Sequence, residues 1–290
     1  MSWGAPIHLE AYGDSLTAGF LAHTSLTQTP ELPELSRLLK DLAFAFIQKN
    51  RKLIQQFESP EKAWPHWVAR NLQTQGIDIV SIHNGAVSGS RSQGIIEQVK
   101  LRGPVPHATW GLFFVGHNDL CHSKIEATAL VEQFVQNLRK SLEEWDKNHQ
   151  NSIAFLVPTS PIYQLYPVLE NHVWFRSESK TFTCQDAWTK YFPYCPSFYF
   201  RYKQGDLESY LKPRGEALNA ALERLAQERN ANTQRGNRVF TLEAQWPLPL
   251  QPQYFAVDCY HIAEPGQKIF AENIVYAISQ KLSQGDLNSQ

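Results

Sequence analysis

Five apolar runs, 7–12, 77–83, 110–115, 153–158 and 238–242, alternate along the chain with longer stretches whose apolar positions recur at three- and four-residue intervals. Runs with apolar residues at consecutive positions suit strands covered on both faces, and the intervening periodicity suits helices laid against them. The stretches 64–74, 125–148, 213–229 and 265–282 are accordingly read as helices. Strands that return to one sheet through helices run parallel. The expected fold class is therefore α/β, three α/β/α layers around a five-stranded parallel sheet in flavodoxin-like order. With no internal repeat and no low-complexity linker, 1–290 is expected to form one domain.

Two stretches exceed what the alternation requires. Within 21–57, Leu38, Leu39, Leu42, Phe46 and Ile47 lie at helical spacing, which predicts an inserted helix. The stretch 162–202 is dense in aromatics, among them Trp174, Phe175, Phe182, Trp188, Phe198 and Phe200. Long connections in compact domains tend to be lids or binding loops, so this one is expected to wall an apolar substrate pocket. The alternative is a satellite core beneath a long loop.

Composition narrows the function classes. Of 290 residues 42% are hydrophobic, enough for a substantial core, and 27 basic against 28 acidic residues leave a formal charge of -1. No global field favours nucleic acid, and none is expected as a partner. No uncharged apolar run approaches the roughly 20 residues needed to span a bilayer, and residues 1–10 lack a basic segment followed by an apolar one. The chain thus reads as soluble and without a signal peptide, as would a secreted or periplasmic protein whose signal has been trimmed; otherwise it is cytoplasmic. Four cysteines do not make a disulfide scaffold in a chain of this size. Cys184 and Cys195 bracket one short loop and are the pair expected to bridge. Cys121 and Cys259 sit beside two candidate loops and could pair as well, and the alternative to any bridge is four buried free thiols.

The chemistry gathers at strand ends. Gly13-Asp14-Ser15-Leu16-Thr17-Ala18-Gly19 follows the first run directly, placing Ser15 where open α/β sheets bind their ligands. Taken alone, Ser15 reads first as a helix cap. Asp258-Cys259-Tyr260-His261 follows the last strand: His261 could take the Ser15 proton if this loop folds over the same sheet edge, and Asp258 could fix the imidazole tautomer. An isolated Asp-x-x-His is equally a polar turn or half a metal site. Asn84-Gly85-Ala86-Val87-Ser88-Gly89 and Gly116-His117-Asn118-Asp119 follow the second and third strands. The amides of Ser15 and Gly89 and the side chain of Asn118 are candidate oxyanion donors. Gly89 could instead serve a tight turn and Asn118 an Asx-turn. Four strand-end loops with complementary chemistry nevertheless favour a site.

These four segments resemble the four blocks of the SGNH, or GDSL, hydrolases, with Ser15, Gly89, Asn118 and His261 at the positions that name the family. The resemblance implies a flavodoxin-like α/β/α fold, a Ser15–His261–Asp258 triad, an oxyanion hole of Ser15, Gly89 and Asn118, and an ester, thioester or acyl substrate. Gly116-His117-Asn118-Asp119-Leu120-Cys121 and Asp258-Cys259-Tyr260-His261 are similar to the phospholipase B branch, which implies phospholipid or lysophospholipid substrates and transient contact with a membrane surface. The sequence departs from that branch at His117, where glycine is commoner, and at Tyr260, where phenylalanine is.

No metal or cofactor is expected, because His117 and His122 beside Asp119 lack a recognisable ligand spacing. Arg91 could hold a phosphate or carboxylate but reads more simply as an exposed residue at a helix start. Gly-x-Ser-x-Gly and the phosphate-binding Gly-x-x-x-x-Gly-Lys are both absent, against an α/β-hydrolase elbow and a nucleotide site. The reading is a serine esterase or lipase, with a carbohydrate O-acetylesterase and a non-catalytic binding module as alternatives. Oligomeric state is not legible.

Overall fold

Successive side chains of a strand point to opposite faces, and the central run Thr109–Phe114 uses both for packing. Phe114 meets Trp64 and Phe270 on one side, with ring centroids 5.9 and 5.1 Å away, and Phe113 meets Trp145 at 6.0 Å on the other. Every residue of this strand is buried. The computed structural model describes residues 6–26, 37, 41, 51–122, 125–176, 180–191, 195–231, 236–243 and 250–283. The helix expected around Leu38 to Ile47 lies outside the described residues.

The strands are β1 (Ile7–Gly13), β2 (Ile79–Asn84), β3 (Thr109–Phe114), β4 (Ile153–Val157), a separate hairpin β5 (Val173–Arg176) and β6 (Thr181–Thr183), and β7 (Arg238–Thr241). The main sheet has the order β2-β1-β3-β4-β7 with all pairs parallel. This is the expected five-stranded α/β/α arrangement, and it puts the loops after β1, β2, β3, β4 and β7 along one edge. The helices that position those loops are α1 (Ser15–Ala18), α2 (Trp64–Thr74), α3 (Ile95–Arg102), α4 (His117–His122), α5 (Ala127–Asn148), α6 (Pro196–Gln204), α7 (Leu207–Ala231) and α8 (Glu264–Ser283). α2 packs with α8, and α5 lies between α3 and α7. Trp64 and Phe270 put the first pair on the Phe114 face of the sheet, and Trp145 puts α5 on the Phe113 face.

α7 begins before the expected 213 and carries Pro213 within it. Proline there removes one helical hydrogen bond, but burial of Leu207 and Leu211 draws the first turns onto the core. α3 follows shortly after Arg91, in keeping with the helix start expected there, with Ile95 and Val99 four residues apart on its buried side and Gly103 after its end.

The expected Cys184–Cys195 bridge is replaced by Cys121–Cys195 and Cys184–Cys259. The reason is topological. Cys184 follows β6 beside the 258–261 loop, whereas Cys195 opens α6, which packs on α4, so each sulfur faces a strand-end loop rather than the other. Each bridge spans about 75 residues, and closing loops of that size constrains the unfolded chain by about 4 kcal/mol. Of the aromatics described in 162–202, Trp174, Trp188 and Phe198 are buried, Phe175 and Phe182 are half-buried and Phe200 is exposed. The three buried rings join the main hydrophobic core and leave almost no surface to a ligand.

One charge lies deep in the sheet. Glu10 of β1 is fully buried, with Arg102 Nε at 2.7 Å, the Tyr12 hydroxyl at 2.5 Å and His149 Nε2 at 3.0 Å. Burial alone would raise its carboxyl pKa, but His149, Tyr12 and Arg102 outweigh that cost and hold it at about 2, below its ordinary 4.5. A carboxylate depressed by folding stabilises the native state above its unfolded value and loses that contribution as the pH falls from 4.5 toward 2. The loss should amount to about 3 kcal/mol. Denaturant titrations across the acid range should show this slope in the wild type and a flatter one in Glu10→Gln.

Candidate active site

The turn that carries Ser15 is built from the end of β1. Asp14, fully buried, caps α1 by accepting the Leu16 N–H at 3.0 Å through Oδ1. Gly13 must be glycine: a Cβ there would lie 2.3 Å from the Phe114 carbonyl oxygen and 2.4 Å from Thr17 Oγ1. Its backbone is gripped on both sides by Gln98 of α3, which accepts from the Gly13 N–H at 2.9 Å and donates to the Gly13 carbonyl at 2.8 Å. Such a paired grip satisfies a buried peptide and fixes its orientation.

The loop after β7 meets that turn. Phe255 and Ile262 close it as an antiparallel bridge, and the Ala256 N–H donates to the His261 carbonyl at 2.7 Å. Within it Cys259 adopts a left-handed φ of 59°. Asp258 Oδ1 can then accept from the Tyr260 and His261 N–H groups at 3.0 and 2.9 Å, while Oδ2 lies 2.6 Å from His261 Nδ1. His261 Nε2 lies 2.8 Å from Ser15 Oγ. Asp258 is fully buried. Burial would raise its carboxyl pKa, but the imidazole of His261 and the two backbone donors more than offset this and leave it below the ordinary carboxylate value. Ser15 is half-buried, so the hydroxyl end of this chain faces outward and its carboxylate end is sealed.

Gly89 and Asn118 approach the same edge from the neighbouring loops. Gly89 is exposed, with a φ of 80° in a turn closed by the Ser90 N–H to Val87 carbonyl bond, a conformation that suits glycine. Asn118 Nδ2 donates to the Ser90 carbonyl at 3.0 Å, which ties its amide to the residue after Gly89. An amide group carries two N–H donors, so this bond orients the second without consuming it. The two loops are further joined by Asp119, which accepts from the Ser92 N–H at 2.9 Å and its hydroxyl at 2.7 Å. Burial is the main reason that the Asp119 carboxyl lies above its ordinary pKa.

Other residues singled out from the sequence have plainer surroundings. His117 is buried, with Nδ1 3.2 Å from Asp14 Oδ2 and Nε2 accepting the Ser160 N–H at 2.9 Å, so both ring nitrogens are engaged by protein. The side chain of His122 lies outside the described residues. Arg91 is exposed and precedes the short turn Ser92–Gly94. Among the described residues no group of three or more His, Cys, Asp or Glu side chains could hold a metal ion.

Two further residues support the arrangement without having been read as part of it. Gln98 lies in α3. Gln267 of α8 accepts from the Trp64 N–H at 2.9 Å and donates to the Leu16 and Ile262 carbonyls at 3.3 and 3.2 Å, linking the turn after Ser15 to the loop that ends at His261.

Comparison with known proteins agrees with this architecture. A protein described as a GDSL-like lipase from Parabacteroides merdae superposes with a TM-score of 0.51 at 14% identity, covering 96% of this chain and 99% of that one. A carbohydrate esterase gives 0.50 at 10% identity, covering 94% and 68%. Likeness at such identity establishes the fold alone. No curated protein matches the sequence. Residues 11–269, however, match the GDSL-like lipase/acylhydrolase family, so the chain belongs to that family and is an ester hydrolase of the GDSL type.

Proposed function

We propose that Ser15 is the nucleophile of this hydrolase, His261 its general base and Asp258 the residue that orients the base. The observation that carries the reading is the unbroken chain from Asp258 Oδ2 to His261 Nδ1 at 2.6 Å and from His261 Nε2 to Ser15 Oγ at 2.8 Å. In that geometry the imidazole can remove the hydroxyl proton as oxygen attacks an ester carbonyl, and Asp258 stabilises the imidazolium that forms. The same proton then passes to the departing alcohol oxygen, leaving an acyl-Ser15. Water, deprotonated by His261, releases the acid. The developing oxyanion is received by the N–H groups of Ser15 and Gly89 and the Asn118 amide. A buried, ionised Asp258 supports this division of roles, since it is poised to hold the cation rather than to take its proton.

For the substrate, we propose a lipid acyl ester, most nearly a lysophospholipid or phospholipid. Besides the motif resemblance, a cleft of about 270 Å³ beside α4 supports it. Pro161, Ile162 and Leu211 line it together with Thr159, Lys212 and Glu216, so its wall mixes apolar and polar groups, and Leu120, also in the lining, lies two residues beyond Asn118. A carbohydrate O-acetyl ester is the second reading. Inward burial of Trp174, Trp188 and Phe198 favours it, because the aromatic insertion then contributes little of the apolar wall that a long chain needs. No helix among the described residues is long and apolar enough to cross a membrane.

Ser15→Ala should abolish hydrolysis of p-nitrophenyl acetate while the circular dichroism spectrum stays that of the wild type, and a fluorophosphonate should label Ser15 alone, read by mass spectrometry of the adduct. Retained turnover in Ser15→Ala would remove the serine from the mechanism. Asp258→Asn should reduce kcat by about a thousandfold or more through loss of the imidazole's orientation, and near-wild-type turnover would remove Asp258 from its role. A panel of p-nitrophenyl esters from acetate to palmitate, beside lysophosphatidylcholine and an acetylated sugar, should show highest kcat/KM on the long-chain lipid substrates. Preference for acetate and the acetylated sugar would establish the second reading instead.

A further inference from the structure

The segment between β4 and α7 supplies none of the reacting groups, yet it holds the Asp258–His261 loop at three points. Trp174 Nε1 donates to the Val257 carbonyl at 2.6 Å, Trp188 Nε1 donates to the Cys259 carbonyl at 3.2 Å, and Cys184 is bonded through sulfur to Cys259. The two carbonyls belong to the residues on either side of Asp258. All of these groups are buried, so the indole N–H bonds form where no water competes for them.

The loop needs such restraint because its middle residue is strained. A left-handed conformation costs a residue bearing a Cβ roughly 1–2 kcal/mol, and Cys259 adopts one at a φ of 59°. That turn allows Asp258 Oδ1 to collect two backbone N–H groups while Oδ2 addresses the imidazole. If Cys259 relaxed, the carboxylate would lose its backbone donors and the imidazole its orientation. The other disulfide ties the same segment to α4 at Cys121, three residues beyond Asn118. The segment is thus anchored covalently both to the loop that holds the base and to the helix that carries an oxyanion donor.

We propose that Trp174 and Trp188 are positioning residues for the reaction: their indole N–H groups fix the Val257–Asp258 and Cys259–Tyr260 peptides, keep Cys259 left-handed and thereby hold His261 on Ser15. This rests on the triad assignment above. Neither ring reaches the substrate, so their loss should act on turnover rather than on substrate binding.

Trp188→Phe keeps an aromatic ring against Phe198 and Tyr166 but deletes the donor. On p-nitrophenyl acetate its kcat should fall about tenfold, as expected for one buried hydrogen bond expressed in the transition state, with KM changed less than about twofold. Labelling of Ser15 by fluorophosphonate should slow by the same factor. Trp174→Phe should behave alike, and it decides the matter if Trp188→Phe does not fold. Phe200→Leu is the control: it trims an exposed ring of the same segment and should leave kcat at the wild-type value. The proposal is overturned if the tryptophan variants keep wild-type kcat, if only KM changes, or if Phe200→Leu loses as much turnover as they do. Failure of the triad itself would show separately, as a wild-type enzyme whose Ser15 is not labelled.

Discussion

A single contact of 2.8 Å joins Ser15 to His261 across 246 positions of sequence, and the purpose of most of the surrounding structure is to hold it. Proton transfer is unforgiving of position: a displacement of about 1 Å can cost a hundredfold in rate. Neither side chain has the means to secure the contact alone, since His261 projects from a loop and Ser15 from the first position of the four-residue α1. The sheet solves the coarse part by bringing the ends of its parallel strands to one edge. Finer placement comes from side chains that bond to backbone: Gln98 grips the peptide before the turn, Asp14 caps the turn itself, and Gln267 spans from that turn to the loop of the base. Each is buried, where a hydrogen bond left unmade would be costly and the alternative conformations are correspondingly disfavoured.

The loop of the base carries a different burden. Sealing Asp258 from water makes its charge a strong orienting force, yet burial would favour the neutral acid if no donor met it. Two backbone N–H groups and the imidazole meet both carboxylate oxygens, at the cost of a left-handed cysteine. Strain at a site persists only where neighbours over-determine it. Here a disulfide and two indole donors do so, which accounts for a long aromatic segment whose tryptophans face inward.

Much of this was legible in the sequence, for identifiable reasons. The five main strands begin and end within two residues of their apolar runs, and β3 and β4, buried throughout, read as continuous apolar stretches because both of their faces are covered. The residues at the strand ends were legible because they break that pattern with groups a core would not admit. What escaped was information about proximity. Gln98 is an ordinary glutamine until Gly13 is known to lie beside it, and loop length favoured Cys184–Cys195 although the fold turns those sulfurs toward different loops. The aromatic insertion could be read as a wall or as a satellite core because composition does not say which way a ring points. Its tryptophans bury their rings and spend their N–H groups on the loop that carries Asp258.

The same edge holds a second buried aspartate–histidine pair, and the contrast shows what fits the first for the role proposed for it. Asp14 and His117 face one another as Asp258 and His261 do, with nitrogen and oxygen 3.2 Å apart. At His117 the remaining nitrogen already accepts the Ser160 N–H, a donor that a backbone amide cannot withdraw. The proton on that ring must therefore sit on Nδ1, toward Asp14, and Nε2 has no lone pair left to offer a hydroxyl. His261 has the matching tautomer imposed by Asp258, but its Nε2 meets the oxygen of Ser15, whose proton is the one the proposed mechanism moves. Identical residue types thus suit a proposed base in one place and a brace in the other. The difference lies in what occupies the far nitrogen: an amide that keeps its proton leaves a rigid strut under the nucleophile turn, and a hydroxyl that can yield it leaves a group able to do chemistry.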